Sequence, residues 1–171
     1  GAGHGATFQD KWGNYWHVST IMLSVKNNFE RRIGIWPAGF DKNDYMYCNT
    51  TFGDYPHYIP DGKADYLQSR FTGWMLLNYK KPVTVSSTLG SYYANNSVDE
   101  SMKTYWSAAT GDKGEWIQSD LGNISTVHAV QVNYADQDAA FLGKQTNIYH
   151  QYRMYNSINK KNWKSLIDKS N

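Results

Sequence analysis

Residues 52–58, Phe52-Gly53-Asp54-Tyr55-Pro56-His57-Tyr58, crowd aromatic rings, a carboxylate and an imidazole into one short stretch. That set suits a sugar. Aromatic faces pack on the apolar faces of a pyranose while Asp54 and His57 hydrogen-bond its hydroxyls. The same residues also suit a rigid plug between modules, with tyrosine as filler, and both readings stay open. Bond cleavage asks for more, because glycoside hydrolysis needs two carboxyl groups flanking the scissile bond. Asp10 and Asp41 open polar stretches between apolar runs and read as turn residues that bond their own backbone.

These groups must be held by a folded scaffold, and the composition supplies one. The chain has 171 residues, enough for one ordinary domain or two small ones. Aromatics make up 16%, with 7 Trp and 14 Tyr, too rich for disorder. The 17 basic and 15 acidic residues are mixed along the chain and leave a net charge of +2. There is no basic stripe, which argues against nucleic acid. No apolar run approaches a bilayer span, which argues against a membrane-spanning helix. Cys48 alone gives no disulfide framework. The chain opens on Gly-Ala-Gly-His-Gly without an initiator Met, as expected of a processed or excised segment.

The pattern is β throughout. A hairpin is predicted over 5–22 around the turn Asp10-Lys11-Trp12-Gly13-Asn14. A strand follows over 31–40, then the turn Asp41-Lys42-Asn43-Asp44 and a return strand over 45–49. Together these make about four antiparallel strands. Residues 52–73 carry Gly and Pro without periodicity, and 64–70 is the one weak helical candidate. Lys80-Lys81-Pro82 reads as a join, giving modules 1–80 and 81–171. In the second module strands are predicted over 83–87, 115–121, 127–134, 148–155 and 162–167, with a loop from Tyr92 to Ala109. Trp116 and Trp163 are assigned to the core, Trp106 also, and Asp120 to a turn.

Within the second module, Asn96-Ser97-Val98-Asp99 leads to Thr104-Tyr105-Trp106-Ser107. Then come Glu115-Trp116-Ile117-Gln118-Ser119-Asp120-Leu121-Gly122, His128 to Tyr134, and Tyr152 to Ser157 with Asn162-Trp163. These ordered segments resemble discoidin-like modules (coagulation factor five/eight type C, galactose-binding-like). One departure is Asn159-Lys160-Lys161 where that family has a Gly turn. The first module resembles the end of a family 43-like five-bladed β-propeller glycoside hydrolase. The carrying residues are Gly3-His4-Gly5-Ala6-Thr7-Phe8-Gln9-Asp10 with Gly13 to Val18, and Arg31-Arg32-Ile33 with Trp36 to Asp41.

The two resemblances imply an all-β chain: the last strands of a propeller, then a discoidin-like jelly-roll β-sandwich, truncated at Asn171. They imply the C-terminal portion of a secreted bacterial enzyme of arabinofuranosidase or xylosidase type, periplasmic or extracellular, acting on oligo- or polysaccharide. Its catalytic carboxylates would lie outside this chain, in the remainder of the same polypeptide, since no aspartate here matches a family catalytic motif. A non-catalytic carbohydrate-binding or adhesion module is the alternative. Tyr92, Tyr93 and Tyr105 fall on the loops that carry ligand in discoidin-like modules. Asp99 and Thr104 match positions that hold Ca²⁺ in related modules, and His4 matches a propeller residue that ligates Ca²⁺ or its waters.

Overall fold

A computed structural model of the chain describes residues 2–22, 31–50, 55–65, 75–101, 103–135 and 150–171. By internal contacts the chain divides into two compact units, Gly1–Ala135 and Asp136–Asn171. Strands account for the regular structure, and the one helical element among the described residues is a short 3₁₀ turn, Ala94–Ser97. The chain is therefore all-β, as its alternating pattern predicts. Among the described residues no helix is long and apolar enough to cross a membrane.

The first sheet is an antiparallel meander of β1 (Ala2–Gln9), β2 (Tyr15–Met22), β3 (Arg31–Phe40) and β4 (Met46–Cys48), in that order. The expected hairpin and return strand are all present. Register pairs Trp16 with Pro37 and His17 with Trp36, so the two tryptophans point to opposite faces. Each face thereby gains a large apolar anchor. Trp36 is 0% exposed, and its ring lies over Gly34, where an added Cβ would stand 2.3 Å from a ring carbon. Glycine there is a packing requirement. On β1 the register slips between Gly3 and Ala6, and His4 in this bulge adopts φ 52°.

The two tight turns of the sheet share one geometry. In the first, Asp10 N–H donates to Asn14 O at 2.9 Å and Gly13 N–H to Asp10 O at 3.0 Å. The Asp10 carboxylate accepts from the N–H groups of Trp12 and Asn14, each at 2.9 Å. In the second, Asp41 N–H donates to Tyr45 O at 3.0 Å and Asp44 N–H to Asp41 O at 3.1 Å. The Asp41 carboxylate accepts from Asn43 N–H at 2.8 Å and Tyr45 N–H at 3.0 Å. Both aspartates bond their own backbone, as expected of turn residues. The fourth position is left-handed in each, Gly13 at φ 79° and Asp44 at φ 61°.

Asp10 does more than Asp41. Its second oxygen accepts from the Trp16 indole and the Asn14 amide, each at 3.1 Å. Asn14, only 2% exposed, also donates to Gly62 O at 2.9 Å and accepts Ala64 N–H at 2.8 Å. Lys63 Nζ donates to Gly13 O. The irregular segment after the sheet is thus latched to the first turn. The predicted helix over 64–70 falls mostly outside the described residues, and Ala64 and Asp65 are not helical.

In the second module, β5 (Val83–Val85) pairs antiparallel with β6 (Ile117–Ser119), shorter than the predicted strands. Asp120 does fix a turn: its N–H donates to Pro82 O at 2.9 Å and its carboxylate accepts Gly122 N–H at 3.0 Å. Residues 127–134 alternate like a strand but have no ladder partner among the described residues. Trp116 is 48% exposed, against the expected core position. Each strand of this ribbon has only three residues, too small a surface to bury an indole by itself.

The second unit is a hairpin of β7 (Tyr152–Asn156) and β8 (Lys164–Lys169). Its turn resolves the departure in the sequence. Lys160 takes φ 58°, the conformation glycine would supply, while the Asn159 side chain accepts Lys161 N–H at 3.0 Å and Asn162 N–H at 2.9 Å. Trp163 is 47% exposed, again outside the expected core. Arg153 and Asp168, directly opposite in register, form an exposed ion pair at 3.0 Å.

Burial alone would raise the Asp10 carboxyl, but the bonds from Asn14, Trp16 and Trp12 outweigh it and bring it from 3.8 down to about 2. The folded value lies below the unfolded one. Ionised Asp10 therefore stabilises fully above pH 3.8, and that contribution is lost as pH falls through about 2. Asp10→Asn should lower stability at pH 7 by about 2 kcal/mol in urea unfolding. It should also flatten the acid limb of the stability profile in that window. Asp44→Gly, which relieves the left-handed strain, should raise stability by about 0.5 kcal/mol in the same assay.

Candidate functional site

The loop from Leu89 to Ala109 is built by short-range bonds that fold it back on itself. Tyr92 N–H donates to Leu89 O at 3.1 Å, Leu89 N–H to Ser107 O at 2.9 Å, and Ser107 N–H to Tyr92 O at 3.3 Å. The 3₁₀ turn follows at once, and Asn96 Nδ2 donates to Tyr105 O at 3.1 Å. Val98, buried at the end of this turn, receives Lys80 N–H on its carbonyl at 2.8 Å. The outcome is that Tyr92 and Tyr105, far apart in sequence, stack with ring centroids 4.6 Å apart and planes 19° from parallel. Next to them Tyr93 stands 62% exposed. Of the three tyrosines expected to carry ligand, Tyr92 and Tyr105 are stacked, and Tyr93 follows Tyr92 in sequence with its ring exposed.

Beside this platform, Asp99 and Thr104 also meet. Thr104 Oγ1 donates to Asp99 Oδ2 at 2.7 Å, and Ser101 N–H donates to Asp99 Oδ1 at 2.8 Å. Desolvation, and then the charge of Asp99, push the Glu100 carboxyl above its ordinary value although the residue as a whole is exposed. Asp99 and Thr104 offer only side-chain oxygens. Among the described residues, no group of three or more His, Cys, Asp or Glu side chains gathers in a metal-holding arrangement. His4 is exposed in the β1 bulge and belongs to no such group.

The first-module candidates fare differently. Asp54 lies outside the described residues. His57 packs against Tyr55 at 4.5 Å and edge-on to Trp16 at 6.3 Å. Tyr55 donates its hydroxyl to Asn49 O at 3.0 Å. The described part of this stretch packs among aromatic rings, which fits either of the two open readings. Burial pushes the Cys48 thiol up, which keeps it protonated at neutral pH.

One residue was read only as part of a strand motif. Glu115 accepts from the hydroxyls of Ser86, of Ser87 at 2.7 Å and of Thr110 at 2.9 Å. The Ser86 hydroxyl, then that of Ser87, then Thr110 hold its carboxyl below the usual range. Its partners lie 28 and 29 residues upstream and 5 upstream, so no local pattern announces them. Ser87 also accepts Ala109 N–H at 2.9 Å, and its carbonyl accepts the Trp106 indole at 3.1 Å.

Comparison with known families settles the nature of this half. The F5/8 type C domain matches residues 82–171, more than half of the chain. The chain belongs to the F5/8 type C domain family. Domains of this family are galactose-binding-like modules that commonly bind carbohydrates. The match begins after the Lys80-Lys81 join and does not reach the four-stranded meander, to which no propeller family is assigned. No curated protein and no solved structure matches the chain.

The Trp106 indole ties the tyrosine loop to Ser87, just past β5. Trp106→Phe removes the indole donor and leaves the Ser87 carbonyl short of a partner. It should cost about 1 kcal/mol in urea unfolding, while Trp163→Phe, at an exposed ring, should leave stability within about 0.5 kcal/mol.

Proposed function

We propose that this chain binds an oligo- or polysaccharide through the loops bearing Tyr92, Tyr93 and Tyr105. The single observation that carries this reading is the Tyr92–Tyr105 stack at 4.6 Å with Tyr93 exposed beside it. A rigid aromatic face matches the apolar face of a pyranose, and it loses little conformational freedom on binding. The mixed charge of the chain gives no competing surface for nucleic acid.

In this reading the chain is the carbohydrate-binding part of a secreted bacterial glycoside hydrolase of arabinofuranosidase or xylosidase type. What supports it is the resemblance of residues 1–50 to a propeller end, together with the up-and-down order of β1 to β4. The carboxylates that cleave the bond would belong to other parts of that enzyme. Asp99 and Thr104 are proposed to hold Ca²⁺ with main-chain carbonyls completing the shell. The donor set is hard oxygen, and a cation there would offset the repulsion between Asp99 and Glu100.

The test is a glycan array and calorimetric titration with the full chain, with and without Ca²⁺. Retention of specific pyranose oligosaccharides is expected, with Tyr93→Ala weakening binding by about tenfold. A folded chain that retains no glycan would overturn the saccharide reading. A melting temperature unmoved by chelator would overturn the Ca²⁺ assignment alone.

A further inference from the structure

Glu115 stands outside the tyrosine loop, yet the polar groups that shape that loop lead back to it. Its carboxylate accepts hydrogen bonds from the hydroxyls of Ser86, Ser87 and Thr110. Each of these hydroxyls then spends a lone pair on a backbone donor. Ser86 Oγ accepts Trp116 N–H at 2.9 Å, Ser87 Oγ accepts Ala109 N–H at 2.9 Å, and Thr110 Oγ1 accepts Asp112 N–H at 3.2 Å. The Ser87 carbonyl fixes the Trp106 indole, next in sequence to Tyr105. From there Ser107 closes onto Leu89 and Tyr92.

We infer that Glu115 is a positioning residue for the tyrosine site: it sets the segment 105–110 against 86–92 so that Tyr92 and Tyr105 are stacked before a ligand arrives. The identity of the ligand rests on the carbohydrate reading; the positioning does not.

The chemistry demands a carboxylate. A serine or threonine hydroxyl has a single proton to give, and a carboxylate only accepts. Pointing all three protons at Glu115 leaves each hydroxyl free to accept an N–H, so every donor in the array is satisfied. Glutamine has the same shape but brings two protons of its own. At least one hydroxyl must then turn its proton away and accept from the amide on its second lone pair, so its charge-assisted bond to residue 115 is lost and its hold on the segment weakens. Charge also strengthens all three bonds at once. The ribbon beneath does not need this array, because β5 and β6 are held by their own ladder from Val83–Ser119 to Val85–Ile117. The load on Glu115 is the loop.

The experiment compares wild type with Glu115→Gln and Ser87→Ala in the full chain. The readouts are near-UV circular dichroism of the stacked tyrosines, amide exchange at Ala109 and Asp112, far-UV signal, and titration with lactose as the probe. In both variants the tyrosine signal should collapse and exchange at Ala109 should quicken about tenfold or more. Lactose affinity should fall about tenfold, with the far-UV β signal retained. Glu115→Asp, which still only accepts, should recover part of the tyrosine signal. An unchanged tyrosine signal and unchanged amide protection in Glu115→Gln would overturn the inference. So would a loss seen only in step with global unfolding in both variants. If wild type ignores lactose, the carbohydrate reading suffers, and the spectroscopic and exchange results still decide the role of Glu115.

Discussion

At each tight turn of the first sheet an aspartate carboxylate takes the place of the strand partner that the turn residues have left. Asp10 gathers two backbone N–H groups, an indole and an amide on its two oxygens. Several described contacts beyond the sheet run through the residues it orders. Trp16 is oriented by its indole bond, His57 packs on Trp16, and Asn14 clamps the segment from Gly62 to Ala64. An acceptor with two oxygens and four lone pairs can serve turn, core and connecting segment together. A hydroxyl at the same place could not.

The second module uses the same device at longer range. Asp10 serves groups within six residues of itself, whereas Glu115 reaches back across nearly thirty to Ser86 and Ser87. Asp99 serves Ser101 and Thr104, and Asp120 serves Gly122. With short strands and few fully buried side chains among its described residues, this half orders its loops through carboxylates.

How much of this was legible in the sequence depended on distance along the chain. The hairpin at 5–22 was readable, because its turn chemistry and alternation are local. So was the return from Phe40 to Met46, since Asp41 and Asp44 announce it. The Asp99–Thr104 pair and the Tyr92–Tyr105–Tyr93 grouping came from family resemblance; alternation alone does not predict a stack between rings in a loop. Glu115 stayed hidden inside a strand motif, since its partners sit where nothing in the pattern points. Trp116 and Trp163 were read as core because tryptophan usually packs, yet a two-stranded ribbon buries a ring only when another layer covers it. Residues 127–134 show the converse: alternation signals a willingness to pair, and pairing needs a neighbour.

The bulge on β1 has a consequence for solubility. β1 is the outer strand of its sheet, eight residues long, and an uninterrupted outer strand offers a row of unpaired N–H and C=O groups to any passing chain. His4 at φ 52° and the register slip between Gly3 and Ala6 break that row near its start. Gly5 at the same point lets the His17 ring approach to where a Cβ would be 2.5 Å from Nε2. A straight eight-residue template for cross-strand aggregation is thereby cut to a short one, at the cost of one strained histidine.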